Sequence, residues 1–139
     1  MNSESIEQAL LEAAKLAREE AYAPYSKYKV GAALLDSTGR VWTGANVENA
    51  SYGATLCAER VALGKMVSAG AREVAMVAVV TQDGGTPCGI CRQSLLEFAP
   101  NPAEVRVLVG DGSRQIGEFV LADLMPNGFK PAQWKRTEH

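Results

Sequence analysis

Side chains for metal or nucleophilic chemistry are scarce in this chain. Its 139 residues include one histidine, His139, and three cysteines, Cys57, Cys88 and Cys91. Because chain ends fray, we expect any metal or nucleophile chemistry to work without histidine, which excludes Ser–His and Cys–His catalytic pairs. An odd number of cysteines is a poor basis for a disulfide framework.

Long apolar runs and a strong charge of one sign are also missing. The longest apolar run, Val74–Val80, has 7 residues, whereas a membrane helix needs about 20. The polar N-terminal residues have neither the basic nor the apolar region of a secretory signal, so we expect a cytoplasmic protein without membrane contact. With 14 basic and 16 acidic residues, the net charge of -2 disfavours binding of a nucleic acid polymer through bulk charge.

The composition that remains is that of an ordinary globular protein. Hydrophobic residues make up 47% and charged residues 22% of the chain, which excludes a disordered protein. The length predicts a single domain over residues 1–139, and we see no repeats or linkers that would divide it.

Periodicity and turn residues predict an alternation of helices and strands. Ser5 and Gln8 form a candidate capping box for a helix that runs to about Ala21. The further predicted elements are strands at 29–36 and 41–46, a loop at 46–53, a helix at 56–68 closed by Gly70, a strand at 74–81, a helix at 88–98, a strand at 105–110 and a short helix at 119–125. The order, with room for one more strand before the last helix, predicts helices on both faces of one mixed sheet. Trp42 and Trp134 are interpreted as packing residues.

Two short motifs carry the chemistry: Cys57-Ala58-Glu59, and Pro87-Cys88-Gly89-Ile90-Cys91. A helix that begins at Pro87 or Cys88 places Cys88 and Cys91 on one face of its first turn, where the helix dipole favours thiolates. Three thiolates from the two motifs fill three corners of a zinc tetrahedron and leave the fourth for water, which is typical of a catalytic zinc.

Two residues beside Cys57 suit such a site. Glu59 is close enough to the predicted zinc-bound water to move protons without being a ligand. Zinc with three thiolates has a net charge of -1, which would raise the pKa of that water. Arg60 could offset this charge by donating hydrogen bonds to the cysteine sulfurs.

Other interpretations of the cysteines remain open. The Cys88-x-x-Cys91 pair alone is equally typical of a redox pair or of half a structural zinc site in a non-catalytic interaction module. Glu59 and the missing fourth ligand argue against the structural module. One bound zinc per chain without free-thiol reactivity would exclude the redox protein.

Together with Asn46-Val47-Glu48-Asn49-Ala50-Ser51, these motifs resemble the small homotetrameric zinc-dependent cytidine deaminases. The resemblance extends from Tyr22-Ala23-Pro24-Tyr25-Ser26 through Cys88-Gly89-Ile90-Cys91-Arg92-Gln93 to Leu124-Met125-Pro126. It implies a three-layer α/β/α sandwich with a mixed five-stranded sheet, and one zinc per chain. It also implies the hydrolytic deamination of cytidine and 2′-deoxycytidine in pyrimidine salvage, by a homotetramer with shared active sites.

The resemblance also assigns roles to individual residues. Glu59 matches the proton shuttle, Asn46 and Glu48 match residues that hold the ribose hydroxyls, and the backbone N–H of Ala58 matches a contact to the pyrimidine O2. Tyr52 lies where a tyrosine approaches the sugar, in cis or from another subunit.

Two aromatic positions complete the implied site. Phe129 matches an aromatic residue that covers the base from a neighbouring subunit. Tyr28 is a departure, because the family usually has phenylalanine there; we expect its ring to line the pocket and its hydroxyl to need a hydrogen-bond partner.

The same framework serves two other kinds of deaminase. One acts on cytosine-bearing antibiotics such as blasticidin, and the other acts on cytosines in polynucleotides. Asn46 and Glu48 favour a free ribonucleoside over a modified sugar, and the acidic balance disfavours the polynucleotide.

Overall fold

A computed structural model describes residues 3–129 of the chain. Its helices are α1 (Ser3–Arg18), α2 (Ala58–Ser68), α3 (Gly89–Glu97) and α4 (Leu121–Leu124), and its strands are β1 (Gly31–Asp36), β2 (Val41–Ala45), β3 (Val74–Val80), β4 (Arg106–Gly110) and β5 (Gln115–Val120). None of the helices in this described part is long and apolar enough to span a bilayer. The predicted extent of the domain, 1–139, stays a prediction, and Trp134 and His139 lie outside the described residues.

The five strands form one mixed sheet in the order β2-β1-β3-β4-β5. β3 and β4 are parallel, whereas the other three neighbouring pairs are antiparallel. A parallel pair needs a crossover connection, and α3 provides it between β3 and β4. The predicted mixed five-stranded sheet is therefore confirmed.

Alternating side chains of the central strands build a core on each face of the sheet. Leu34, Val77 and Val107 belong to the core beneath α2 and α3. Their chain neighbours Ala33 and Ala78 belong to the second core, beneath α1. Because successive strand residues face opposite sides, these runs are apolar throughout, and the molecule is the predicted three-layer α/β/α sandwich.

Two glycines let the helices approach the sheet closely. A Cβ on Gly31 would stand 2.0 Å from the carbonyl oxygen of Ala14 in α1, and a Cβ on Gly44 would stand 2.6 Å from the carbonyl oxygen of Ala58 in α2. Real Cβ atoms do not come that close to backbone, so any larger residue would displace the helix. Gly44 therefore determines how closely the first turn of α2 lies against β2.

Several predicted element boundaries are wrong. Helix α1 includes Ser5, which is therefore not its N-cap, and it ends at Arg18 rather than Ala21. Phe119 and Val120 pair with β4 as part of β5, so the last helix begins at Leu121 instead of 119. Pairing with a neighbouring strand decides whether this apolar segment is helix or strand, and the local sequence does not reveal that pairing.

The hairpin between β1 and β2 is organised by one buried carboxylate. Asp36 is 2% exposed, and its Oδ1 accepts hydrogen bonds from the backbone N–H of Thr38 (2.8 Å) and Arg40 (3.1 Å). Its Oδ2 accepts a bond from the indole Nε1 of Trp42 at 2.8 Å. Although burial opposes it, a bond from the Thr38 hydroxyl (2.6 Å) and these three bonds hold the pKa of Asp36 well below its ordinary value. Trp42 thus has a polar partner beyond the predicted packing.

Candidate active site

The three cysteines meet where helices α2 and α3 begin. Cys57 is the N-cap of α2, Cys88 is the N-cap of α3, and Cys91 lies in the first turn of α3. Their sulfurs all lie within 4.8 Å of one another. The positive ends of two helix dipoles thus surround the cluster and favour negatively charged thiolates.

The spacing of the sulfurs fits zinc. The Sγ atoms of Cys57 and Cys88 are 3.8 Å apart. Sulfurs bound at about 2.3 Å in a tetrahedron would be separated by about 3.8 Å. Among the described residues, Cys57, Cys88 and Cys91 form the one cluster of three or more cysteine, histidine or acidic side chains placed to hold a metal. The donor set therefore fits a zinc ion with one coordination position left for another ligand.

The thiols differ in their acidity. Hydrogen bonds from Cys91 and Arg60 lower the pKa of Cys57 to about 5. The pKa of Cys91 is raised instead, because it donates to Cys57 and is buried. Of this hydrogen-bonded pair, Cys57 is therefore the thiol that more readily carries the negative charge a metal requires.

Arg60 lies against the same sulfur. Its Nη2 is 3.7 Å from the Cys57 Sγ and donates a bond of 3.2 Å to the carbonyl oxygen of Thr55. Its Nε is buried and has no hydrogen-bond partner among the described residues. The guanidinium thus lies against the cysteine cluster, as expected of a cation that offsets the negative charge of thiolates.

Glu59 lies in the first turn of α2 and lines the cavity beside Cys57. Only 4% of the residue is exposed. Burial raises the pKa of Glu59 to about 7. A carboxyl group with a pKa near neutrality can both take up and release a proton at physiological pH, which suits general acid–base chemistry.

A cavity of about 340 Å³ opens beside the sulfurs. Residues predicted for the site line it: Tyr28, Asn46, Glu48, Tyr52, Cys57, Ala58, Glu59 and Cys88. The volume is within the range of small-molecule pockets. The tertiary structure therefore brings together two motifs and an upstream loop that are far apart in the sequence.

Hydrogen bonds also hold in place a wall of the cavity that loop residues form. The Oε1 of Glu48 accepts from the backbone N–H of Tyr25 (2.9 Å) and Ser26 (3.1 Å), and its Oε2 accepts from the Ser26 hydroxyl. The bond from the Ser26 hydroxyl lowers the pKa of Glu48. The Asn46 side chain donates to the carbonyl oxygen of Tyr28 (2.8 Å) and accepts from the N–H of Val30 (2.9 Å). Both polar residues thus brace this loop as well as line the cavity.

The aromatic residues of the predicted site differ in their placement. Tyr28 is a half-buried wall residue, and its hydroxyl donates to Asp83 at 2.6 Å, which provides the partner that sequence analysis required. Tyr52 is 90% exposed at the rim. Phe129 is not among the residues that line this cavity in its own chain, and it is 51% exposed.

Sequence analysis missed the residue that holds Phe129. The Gln93 side chain of α3 donates to the carbonyl oxygen of Phe129 at 2.8 Å and accepts from its N–H at 3.1 Å. A Cβ on the preceding Gly128 would stand 2.4 Å from Leu96, so the segment lies directly on α3. Gln93 belongs to the quoted Cys-Arg-Gln motif, but its partner 36 residues away is visible only in the structure.

Comparison with known proteins decides the family. A family model described as "Cytidine and deoxycytidylate deaminase zinc-binding region" matches residues 4–107. This chain belongs to the cytidine deaminase family. The part of the deaminase that this model matches contains all three cysteines and Glu59, so the predicted family is confirmed.

Individual relatives agree with this assignment. The deaminase is 48% identical over 124 residues to "Cytidine deaminase" of Halalkalibacterium halodurans, covering 88% of this chain and 92% of the relative. Its identity to "Cytidine deaminase" of Sporosarcina psychrophila is 45% over 124 residues, with coverages of 86% and 88%.

Solved structures show the same fold. The cytidine deaminase of Burkholderia pseudomallei superposes with a TM-score of 0.81 at 44% identity, over 93% of this deaminase and all of that chain. The Mycobacterium tuberculosis enzyme superposes with a TM-score of 0.76 at 40% identity, over 88% and 95%. The fold predicted from the resemblance is thus confirmed.

Proposed function

We propose that this protein hydrolyses cytidine and 2′-deoxycytidine to uridine and 2′-deoxyuridine and releases ammonia. The observation that carries the proposal is the buried Glu59, which lines a nucleoside-sized cavity beside three clustered thiols. The names of the relatives support the reaction and offer no support for an antibiotic deaminase or a non-catalytic module.

Cys57, Cys88 and Cys91 would hold one zinc ion per chain. The spacing of their sulfurs and the zinc-binding description of the family model support this cofactor. A zinc ion in such a site supplies Lewis-acid activation of a water molecule near neutral pH. Arg60 donates to the Cys57 sulfur and reduces the negative charge that three thiolates bring to the site.

Glu59 is the proposed proton carrier. Its carboxylate takes a proton from the attacking water and delivers it to ring N3, which makes C4 of the pyrimidine electrophilic. It then carries a second proton to the departing amine at C4. Burial supports this role, because it raises the pKa of Glu59 to about 7 and excludes bulk water from the transfers.

The loop wall with Asn46 and Glu48 is the proposed sugar site. Glu48 and Asn46 would hold the ribose hydroxyls, since a carboxylate and an amide can bind a vicinal diol and reject a free base. The backbone N–H of Ala58 would contact the pyrimidine O2, with the Tyr28 ring beside it and Tyr52 at the rim. All five residues line the same cavity, which supports this orientation.

We further propose a homotetramer in which Phe129 of one subunit covers the base in a neighbour's site. Two observations support it: Phe129 does not line the cavity of its own chain, and Gln93 holds it on the surface of α3. Pyrimidine salvage in the cytoplasm is the proposed biological setting.

A parallel substrate assay tests the reaction. Zinc-loaded protein is incubated with cytidine, 2′-deoxycytidine, cytosine, cytidine monophosphate and blasticidin, and loss of the cytosine absorbance is followed. We expect turnover of the first two and little of the others. Turnover of blasticidin but not of cytidine would contradict the proposal.

Mixed subunits test the shared site. Phe129→Ala should remain tetrameric and zinc-loaded but bind cytidine less well. When Glu59→Gln chains in excess are reassembled with Phe129→Ala chains, some sites combine an intact Glu59 with a donated Phe129, so activity should exceed that of either parent. Light scattering provides the first check, because a fully active monomer would exclude the shared site.

A further inference from the structure

Tyr28 presents a hydroxyl group beside the cavity, where the sequence analysis expected it to need a hydrogen-bond partner. Its ring lines the cavity, and its hydroxyl donates a bond of 2.6 Å to the Oδ1 of Asp83. This bond lowers the pKa of Asp83, so the acceptor is a carboxylate at neutral pH. A phenylalanine at position 28 could not make the contact, which is therefore a property of this sequence.

Asp83 belongs to an ordered turn that follows β3. The buried Thr81 hydroxyl donates to the Asp83 carboxylate at 3.1 Å and accepts from the N–H groups of Gly84 (2.7 Å) and Gly85 (3.0 Å). A Cβ on Gly85 would stand only 3.3 Å from the Tyr28 hydroxyl oxygen, so glycine leaves room for the bond. Tyr28 and Thr81 thus hold this turn together, since both donate to the same Asp83 oxygen.

The same turn leads directly to the cysteine cluster. Thr86 and Pro87 follow it, and Cys88 is the next residue. Arg92 donates to the Thr86 hydroxyl at 2.9 Å and to the Pro87 carbonyl oxygen at 2.7 Å. Asp83 thus lies five residues before Cys88, at the start of a short segment whose far end Arg92 ties to α3.

The backbone of Tyr28 is fixed to the loop wall that contains Asn46 and Glu48. Its carbonyl oxygen accepts from Asn46 at 2.8 Å, and its N–H donates to the Ser26 hydroxyl oxygen at 3.0 Å. Ser26 also donates to Glu48. Tyr28 therefore connects the proposed ribose-binding residues to the turn that precedes Cys88.

We propose that Tyr28 and Asp83 form a positioning pair that sets the separation between the ribose-binding residues and the cysteine cluster. This inference rests on the proposed function of the cavity. A nucleoside must contact Glu48 at one end and reach the cysteine cluster at the other. Loss of the Tyr28–Asp83 bond should therefore weaken substrate binding more than it slows the chemical steps. The pair thus determines how tightly the complete nucleoside fits.

Steady-state kinetics of the zinc-loaded enzyme test the pair. Tyr28→Phe and Asp83→Ala should each raise the KM for cytidine about fivefold, as loss of one hydrogen bond implies. The kcat should stay within about twofold, with one zinc per chain. The double variant should be no worse than either single variant, because all three lack the same bond.

Two control variants sharpen the comparison. Tyr22→Phe removes a hydroxyl from an exposed tyrosine outside the cavity and should leave KM unchanged. Asp83→Asn keeps an acceptor oxygen and should restore most of the affinity that Asp83→Ala loses. An unchanged KM in Tyr28→Phe, or effects that multiply to about 25-fold in the double variant, would overturn the proposal.

Hydrogen exchange separates this inference from the proposed function. The amides of Gly84 and Gly85 should exchange severalfold faster in Tyr28→Phe than in the wild type, whatever the substrate. Unchanged exchange would refute the connection even if cytidine is turned over. Wild-type protein that fails to deaminate cytidine would instead refute the proposed reaction, while faster exchange in the variant would still support the connection.

Discussion

The two walls of the cavity are built in different ways. The zinc wall consists of Cys57 and Cys88, which line the cavity, together with Cys91 and Arg60, which lie against these sulfurs without lining it. Its cysteines lie at the starts of two helices. The sugar wall consists of Ser26, Tyr28, Asn46 and Glu48, all of them outside helices and strands. Helical backbone places the first set, whereas hydrogen bonds between side chains and loop backbone place the second.

This difference predicts two kinds of failure. Removing a zinc ligand takes away a bond that also ties the starts of α2 and α3 together, so fold and activity should be lost together. Weakening the sugar wall leaves both helices in place, so binding should suffer while zinc and stability remain. Substitutions in each wall, and one outside both, test the contrast.

The largest effect is expected in the zinc wall. Cys88→Ala should contain well under one zinc per chain, lose its activity and melt at a much lower temperature, because zinc binding in small zinc domains is worth about 10–16 kcal/mol. Metal analysis and thermal unfolding measure both losses. Gly89→Ala is the matched control, since a Cβ there meets no atom within 4 Å. A zinc-loaded, active Cys88→Ala would contradict the ligand assignment.

Glu59→Gln should strongly slow catalysis while the fold and the zinc content of the same region persist. The amide is nearly isosteric, so fold and zinc content should persist, but it cannot accept a proton. We expect kcat to fall by at least about 10²–10⁴-fold. Glu73→Gln, at an exposed position remote from the cavity, should retain full activity. If a tenth of the activity remained in Glu59→Gln, another group would have to carry the protons.

In the sugar wall, Glu48→Gln should raise the KM for cytidine by about one to two orders of magnitude with normal zinc content. A hydrogen bond to a charged carboxylate is stronger than one to a neutral amide, and the variant loses this charge. Because the bond from Ser26 lowers the pKa of Glu48, the wild-type contribution should be constant above about pH 5. Kinetics at several pH values measure it, and an unchanged KM would place Glu48 outside the sugar site.

The smallest effect on activity is expected outside both walls. Asp36→Asn should leave KM unchanged but reduce the free energy of unfolding by about 1–3 kcal/mol, since an amide cannot accept from all of the present donors. The folded-state pKa of Asp36 is depressed, so the wild-type advantage should be full above about pH 4 and should shrink as the pH falls further. Denaturant unfolding from pH 7 to pH 3 checks this, and a constant difference would contradict it.

Sequence patterns located the parts of this site that are local. Cys88 is the N-cap of α3 and Cys91 lies in its first turn, and Cys57 and Glu59 belong to one short motif. The relation within each pair therefore depends on backbone geometry over a few residues. The apolar run Val74–Val80 likewise predicted a buried strand, which the structure confirms. By contrast, the last helix was predicted two residues too early, because Phe119 and Val120 are held as strand by pairing with β4.

The amino-acid sequence by itself determined which three cysteines cluster, the alternation of helices and strands, and the family to which the chain belongs. Only the tertiary structure decided that Tyr28 bonds to Asp83, 55 residues away, and that Gln93 holds Phe129. The physical reason is the separation along the chain of the groups that interact. Helix starts and apolar periodicity are consequences of near neighbours along the chain, whereas a hydroxyl or an amide can bond to many partners until the packed sheet brings one of them within 3 Å.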